Sequence, residues 1–128
     1  MSIQLIDFEY GGINYLSYDI ANHFNEFAGG TSDPNGRPDY SMFPSPQLQR
    51  DFCEEYLLQT VNGNGGNKDE EEEAIIREED INDLLKEIKG FVLANHLVWG
   101  LWGINQAATE GCQEFDYLQY GICRMERY

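Results

Sequence analysis

The stretch IQLIDFEYGGINYLSYDIANHFNE, residues 3–26, gathers an apolar run, several acids and a glycine pair into one short segment. Ile3, Leu5 and Ile6 predict a short β element that delivers Asp7, Phe8 and Glu9 to its end, where Gly11 and Gly12 let the backbone turn sharply. The acids therefore stand at a mouth. Asp19 follows as an N-cap candidate, with Ile20, His23, Phe24 and Phe27 recurring at helical spacing. Glu26 lies nearly two turns along that helix.

Outward from this segment, residues 28–38 are dense in glycine, proline, serine and asparagine, so the helix ends and a surface loop follows. Ser45 before Pro46 is an N-cap and first-turn pair, and Leu48, Phe52, Cys53, Tyr56, Leu57 and Val61 give the next helix, from about 45 to 60, an apolar face. The polar and acidic run at 62–78 has the composition of a self-repelling linker and reads as a disordered acidic insertion. From Glu79 to about Ala108 the pattern is apolar on nearly every side, which predicts a buried helix of roughly 40 Å acting as a central beam. Gly90, Gly100 and Gly103 weaken such a helix by ~1 kcal/mol each unless packing requires them. A last helix fits 114–128, with Phe115, Leu118, Ile122 and Met125 at helical spacing and 109–112 as the turn before it.

The 128 residues are the length of one domain, and 41% hydrophobic content is enough for a core. Eight basic residues against 23 acidic give a formal net charge of −15, which repels nucleic-acid phosphate and anionic membrane surfaces. Nine of the acids fall between Asp69 and Asp83, so much of that charge belongs to one segment. Cys53, Cys112 and Cys123 form no CxxC pair and are odd in number, which points to reduced thiols and a cytoplasmic protein. The opening residues lack the basic and apolar regions of a signal peptide, and no run reaches the ~18 to 20 apolar residues of a membrane span.

Two aromatic pairs carry chemistry. Trp99 and Trp102 lie three apart on one predicted helix, and Tyr117 and Tyr120 repeat that spacing on the next. Aromatics at helical spacing are ordinarily core residues, yet two such pairs on antiparallel helices also wall a pocket. Aromatic faces attract cations by ~0.5 to 2 kcal/mol each, and a cage of them holds quaternary ammonium groups. A carboxylate such as Glu26 adds charge attraction. His23 and His96 have no second ligand at metal spacing and read as packed, hydrogen-bonded histidines. The cysteines lack basic neighbours that would tune a thiolate.

The order Ile6-Asp7-Phe8-Glu9-Tyr10, Asn14, Asp19 and Glu26 resembles the motif that follows the catalytic loop in choline/ethanolamine kinases. Asp39-Tyr40-Ser41-Met42-Phe43-Pro44 is similar to that family's Asp-Tyr-Ser-x-Tyr-Pro segment. His96-Leu-Val-Trp99-Gly-Leu-Trp102, Gln106-Ala107 and Glu114-Phe-Asp-Tyr117-Leu-Gln-Tyr120 resemble its later motifs. The resemblance covers most of 3–60 and 80–126, as the carboxy-terminal portion of the family. It implies a mainly α C-terminal lobe of a protein-kinase-like fold with a short β element at the N-terminus. It also implies Mg²⁺ binding by Asp7 aided by Glu9, with ATP as co-substrate, in the manner of the metal-binding Asp of protein kinases.

By the same resemblance Tyr10, Glu26, Trp99, Trp102, Tyr117 and Tyr120 belong to the substrate site for choline or ethanolamine, while Asn14 and Asp19 are structural. Leu16 departs from an Arg common in the family. No catalytic-loop Asp followed by Asn and no nucleotide lobe with its Lys occur within these residues, so the chain by itself is expected to lack kinase activity, with ATP reached through the missing lobe. The expected role is a fragment of an ATP-dependent choline/ethanolamine kinase of phospholipid biosynthesis. The alternative is a non-catalytic module that keeps an ammonium-binding aromatic pocket or serves in forming a homodimer.

Overall fold

The computed structural model describes Gln4, Ile6 and residues 9–30, 34–63 and 75–128. The described residues form four helices, α1 (Leu16–Glu26), α2 (Pro46–Gly63), α3 (Glu78–Thr109) and α4 (Tyr117–Arg127), with a 3₁₀ turn at Tyr40–Met42 between α1 and α2. No strand occurs among them, which corrects the expected β element. Gln4, Ile6 and Glu9 are not extended into a ladder, and Asp7 and most of the apolar run lie outside the described residues.

The first helix begins earlier than its sequence signal. Tyr15 is its N-cap, without a side-chain cap bond, and Asp19 sits in the first turn instead of capping it. Its charge there still suits the positive end of the helix dipole. Just before the helix, Asn14 Oδ1 accepts the Tyr15 N–H at 2.8 Å. The second helix starts where Ser45 and Pro46 predict, with Ser45 Oγ accepting the Leu48 N–H at 3.2 Å. It then runs on to Gly63, so the start of the expected insertion is helical. At the other edge Ile76 packs against the core, Arg77 caps α3 and Glu78 is already in the helix. The remainder of that insertion, 64–74, lies outside the described residues.

The third helix is the beam that its pattern predicts, and α1, α2 and α4 all pack on it. Its 32 residues make it roughly 48 Å long at the usual rise. The amino-terminal half carries the apolar core, in which Ile81, Leu84 and Ile88 meet Ile20, Ala21 and Phe24 of α1 and Cys53 of α2. Ser17 Oγ donates to Glu87 Oε2 at 2.6 Å, and Arg50 of α2 pairs with Glu78 and Asn82 of α3. The expected burial on nearly every side is not met. In the carboxy-terminal half Val98 is 49% and Leu101 54% exposed, because among the described residues α1 and α4 leave one side of that half uncovered.

Glycine explains how α4 approaches. A Cβ on Gly103 would stand 2.9 Å from the Tyr117 carbonyl oxygen and 3.0 Å from Gly121 Cα, and one on Gly121 would stand 2.9 Å from the Gly100 carbonyl oxygen. The two backbones therefore touch. Gly90, by contrast, faces open space. The buried face of α4 is Tyr120, Gly121 and Arg124, whereas Leu118 and Ile122 of the expected apolar stripe are exposed.

Candidate substrate-binding site

The close α3–α4 crossing sets the aromatic residues side by side. Trp99 and Trp102 have ring centroids 5.5 Å apart and planes at 78°. Trp102 then meets Tyr117 at 5.6 Å and 75°, and Tyr120 at 6.0 Å and 86°. From the segment before α1, Tyr10 stands edge-on to Trp99 at 5.7 Å and its hydroxyl accepts the Trp102 Nε1–H at 3.0 Å. Phe115 backs the two tyrosines. Each ring is nearly perpendicular to the next, as adjoining walls of a box are.

Both indole N–H groups are already engaged, Trp102 with Tyr10 and Trp99 with Asn22 Oδ1 at 2.8 Å. What remains for a ligand is the π faces. The indoles are half-buried, so the wall is neither sealed nor freely solvated. Tyr120 is buried, and burial pushes its phenol up to about 12 with the Arg124 charge acting against it, so it stays neutral. Its loop side is held by Gly36, whose φ of 63° suits glycine and where a Cβ would stand 2.9 Å from Tyr120 Cβ.

Glu26, the last residue of α1, enters beside this wall. Its Oε1 lies 4.0 Å from Arg124 Nη1. Burial raises the Glu26 carboxyl above the ordinary range, and the Arg124 guanidinium opposes that rise. The structure brings Tyr10, Trp99, Trp102, Tyr117 and Tyr120 into one cluster, with Glu26 beside Arg124 and Tyr120. Asp19 is exposed in the first turn of α1.

Sequence reasoning missed the polar layer beneath. Asn95 Oδ1 accepts from Asn25 Nδ2 at 2.7 Å and from Arg124 Nη2 at 2.6 Å, while Asn95 Nδ2 donates to Asn22 Oδ1 at 2.7 Å. Asn25, Asn95 and Arg124 are fully buried. The available signal was an arginine in helical register with Tyr117, Tyr120 and Gly121, which a count of apolar positions passes over. His96, beside them, is packed against Tyr40 as expected, yet its buried Nδ1 has no hydrogen-bond partner among the described residues. Burial first, then Arg124 and Arg127, lower its pKa to about 4, so it is neutral at pH 7.

Two cavities of about 420 and 460 Å³ open elsewhere, around Tyr40 and Arg127. They are open depressions away from the indoles, and the aromatic cluster with its carboxylate is the better-built site. For Mg²⁺, no three His, Cys, Asp or Glu side chains gather among the described residues. Glu9 is exposed and Asp7 lies outside the described residues, so those described do not compose a metal site and no step below passes through one.

The described residues thus form an all-helical lobe with near-perpendicular aromatic rings beside a carboxylate. The chain belongs to the choline/ethanolamine kinase family, which it matches over residues 1–128. It is 40% identical over 126 residues to ethanolamine kinase 1 of Mus musculus, covering 98% of this chain and 31% of that protein. It is 41% identical over 128 residues to probable choline kinase 3 of Arabidopsis thaliana, covering 99% of this chain and 33% of that one. Among solved structures it is similar to an ethanolamine kinase of Plasmodium vivax, with a TM-score of 0.69, 33% identity, and coverage of 98% of this chain and 28% of that chain. The chain thus spans roughly a third of the length of the relatives it matches. No helix among the described residues is long and apolar enough to cross a membrane.

Proposed function

We propose that this chain supplies the amino-alcohol site of an ATP-dependent choline or ethanolamine kinase, in which the γ-phosphoryl group passes to the substrate hydroxyl. The observation that carries the reading is the run of perpendicular rings from Tyr10 through Trp99 and Trp102 to Tyr120, with Glu26 at its side. An ammonium head is attracted by the ring faces and by the carboxylate, and each face adds ~0.5 to 2 kcal/mol. Fixing the ammonium end leaves the hydroxyl as the free end, so transfer becomes a matter of positioning. Tyr117 completes the wall from α4.

Asp7, aided by Glu9, is assigned to Mg²⁺ on family resemblance alone. When bound, that ion would neutralise phosphate charge. Phosphorylation itself is assigned to the complete enzyme, and the 128-residue chain is expected to show none. Titrating choline and ethanolamine against the intrinsic tryptophan fluorescence of the purified chain tests the reading. Saturable quenching that Trp102→Leu weakens by about 3 to 30-fold is expected from the loss of one ring face. Absence of any saturable response from the folded chain would sink it.

A further inference from the structure

Arg124 is fully buried, and its guanidinium is under-satisfied. Nη2 donates to Asn95, but Nε and Nη1 have no hydrogen-bond partner among the described residues. A buried charge left in this condition is costly unless an opposite charge or a functional constraint compensates. The acid it faces is Glu26, with 4.0 Å between Nη1 and Oε1. Its Cζ also lies 5.7 Å from the Tyr120 ring centroid, on the side of the aromatic wall.

Its other end reaches the same wall by a different route. Arg124 Nη2 donates to Asn95 Oδ1, Asn95 Nδ2 donates to Asn22 Oδ1, and Asn22 Oδ1 also accepts from Trp99 Nε1, each within 2.6 to 2.8 Å. One chain of hydrogen bonds therefore runs from an indole of the wall, through α1 and α3, to the cation of α4 that faces the carboxylate. The planar guanidinium can keep this amide bond and face Glu26 at once, whereas an ammonium would have to choose. The titratable groups that feel Arg124 come from every element around it. They are Glu26 of α1, Tyr40 of the 3₁₀ turn, His96 of α3 and Tyr120 of α4, with Arg127 as the second cation nearby.

We propose that Arg124 is a positioning residue of the amine site, holding the Glu26 carboxylate against the aromatic wall and coupling it to Trp99 through Asn95 and Asn22. The inference rests on the amine-binding reading above. A half-exposed carboxylate at a helix end has free rotamers and, when protonated, offers an ammonium no charge. The buried guanidinium biases it toward one position and toward its charged form, and the amide chain fixes the indole to the same frame.

The test follows the Glu26 carboxyl carbon and the Trp99 Nε1–H by NMR through a pH titration of the purified chain, beside choline titrations at each pH. In Arg124→Met the Glu26 midpoint should rise by about one pH unit or more, the Trp99 resonance should shift, and the acid limb of choline binding should move up with Glu26. Arg124→Lys should restore most of the midpoint but not the Trp99 shift. A Glu26 midpoint unchanged in a folded Arg124→Met chain overturns the proposal, even if choline affinity falls.

Glu26→Gln serves if Arg124→Met does not fold, since its side chain is partly exposed. In the parent chain the Arg124 Nε–H resonance should move in a step as Glu26 takes up its proton, and the variant should lose that step. A step that persists in Glu26→Gln overturns the coupling. If the parent chain fails to bind choline while Glu26 responds to Arg124 as stated, the amine reading fails and the coupling stands.

Discussion

The two halves of α3 are built on opposite principles. Toward its amino terminus, Ile81, Leu84 and Ile88 bury branched side chains against α1 and α2. Toward its carboxyl terminus the same helix offers Asn95, His96, Gly100 and Gly103, and the neighbour it meets buries an arginine and a glycine. The first half is held by apolar area removed from water. In the second, the helices meet backbone to backbone, and the layer beneath is a set of amides around one guanidinium. Area tolerates substitution by degrees, but a buried polar layer and a backbone contact do not. The half that is harder to vary is the half that carries the candidate site.

The comparison breaks most visibly in the first half. Ile88→Ala, at a residue 1% exposed, should cost about 2 to 5 kcal/mol in urea unfolding while leaving choline-induced fluorescence changes intact in the fraction still folded. Loss of the response along with the stability would mean that the halves are not separable.

In the second half, His96 gives a pH signature. Its folded pKa is about 4, below the ordinary 6.5, so between those values the unfolded chain takes up a proton that the folded chain refuses. Its contribution is complete above pH 6.5 and drains as pH falls toward 4, by at most about 3 kcal/mol. His96→Gln should flatten the acid side of the stability profile across that window. A slope identical to the parent's would remove His96 from the account.

Gly103→Ala sharpens the contrast further. The added methyl meets backbone atoms at 2.9 to 3.0 Å, so α4 must move, and about 1 to 3 kcal/mol of destabilisation should come with weakened choline binding. The smallest effect has the opposite sign. Gly90→Ala, where nothing lies within 4 Å, should stabilise by about 0.5 to 1 kcal/mol, read as a higher urea midpoint.

How much of this was legible follows the same division. The start of α2 and the extent of α3 could be read because Ser45-Pro46 and a long apolar period are local signals. That Tyr10, Glu26, Trp99, Trp102, Tyr117 and Tyr120 lie near one another was legible through spacing and family resemblance, whereas their role is carried by the proposal alone. Asp19 misled because an acid in a first turn and an acid at a cap look alike without the backbone angles of Tyr15. The buried face of α4 was hidden because it consists of Tyr120, Gly121 and Arg124, of which only the first reads as apolar. Asn22, Asn25 and Asn95 could not be found at all, since their partners lie some 70 positions away in the chain.

The glycine seam between α3 and α4 has one more consequence. Where main chains abut, the gap between the helices is set by atoms common to every residue and cannot be widened or narrowed by exchanging side chains elsewhere. The indoles of one helix and the phenols of the other are therefore mounted on a fixed gauge, and the spacing between them is insulated from drift in the surrounding core.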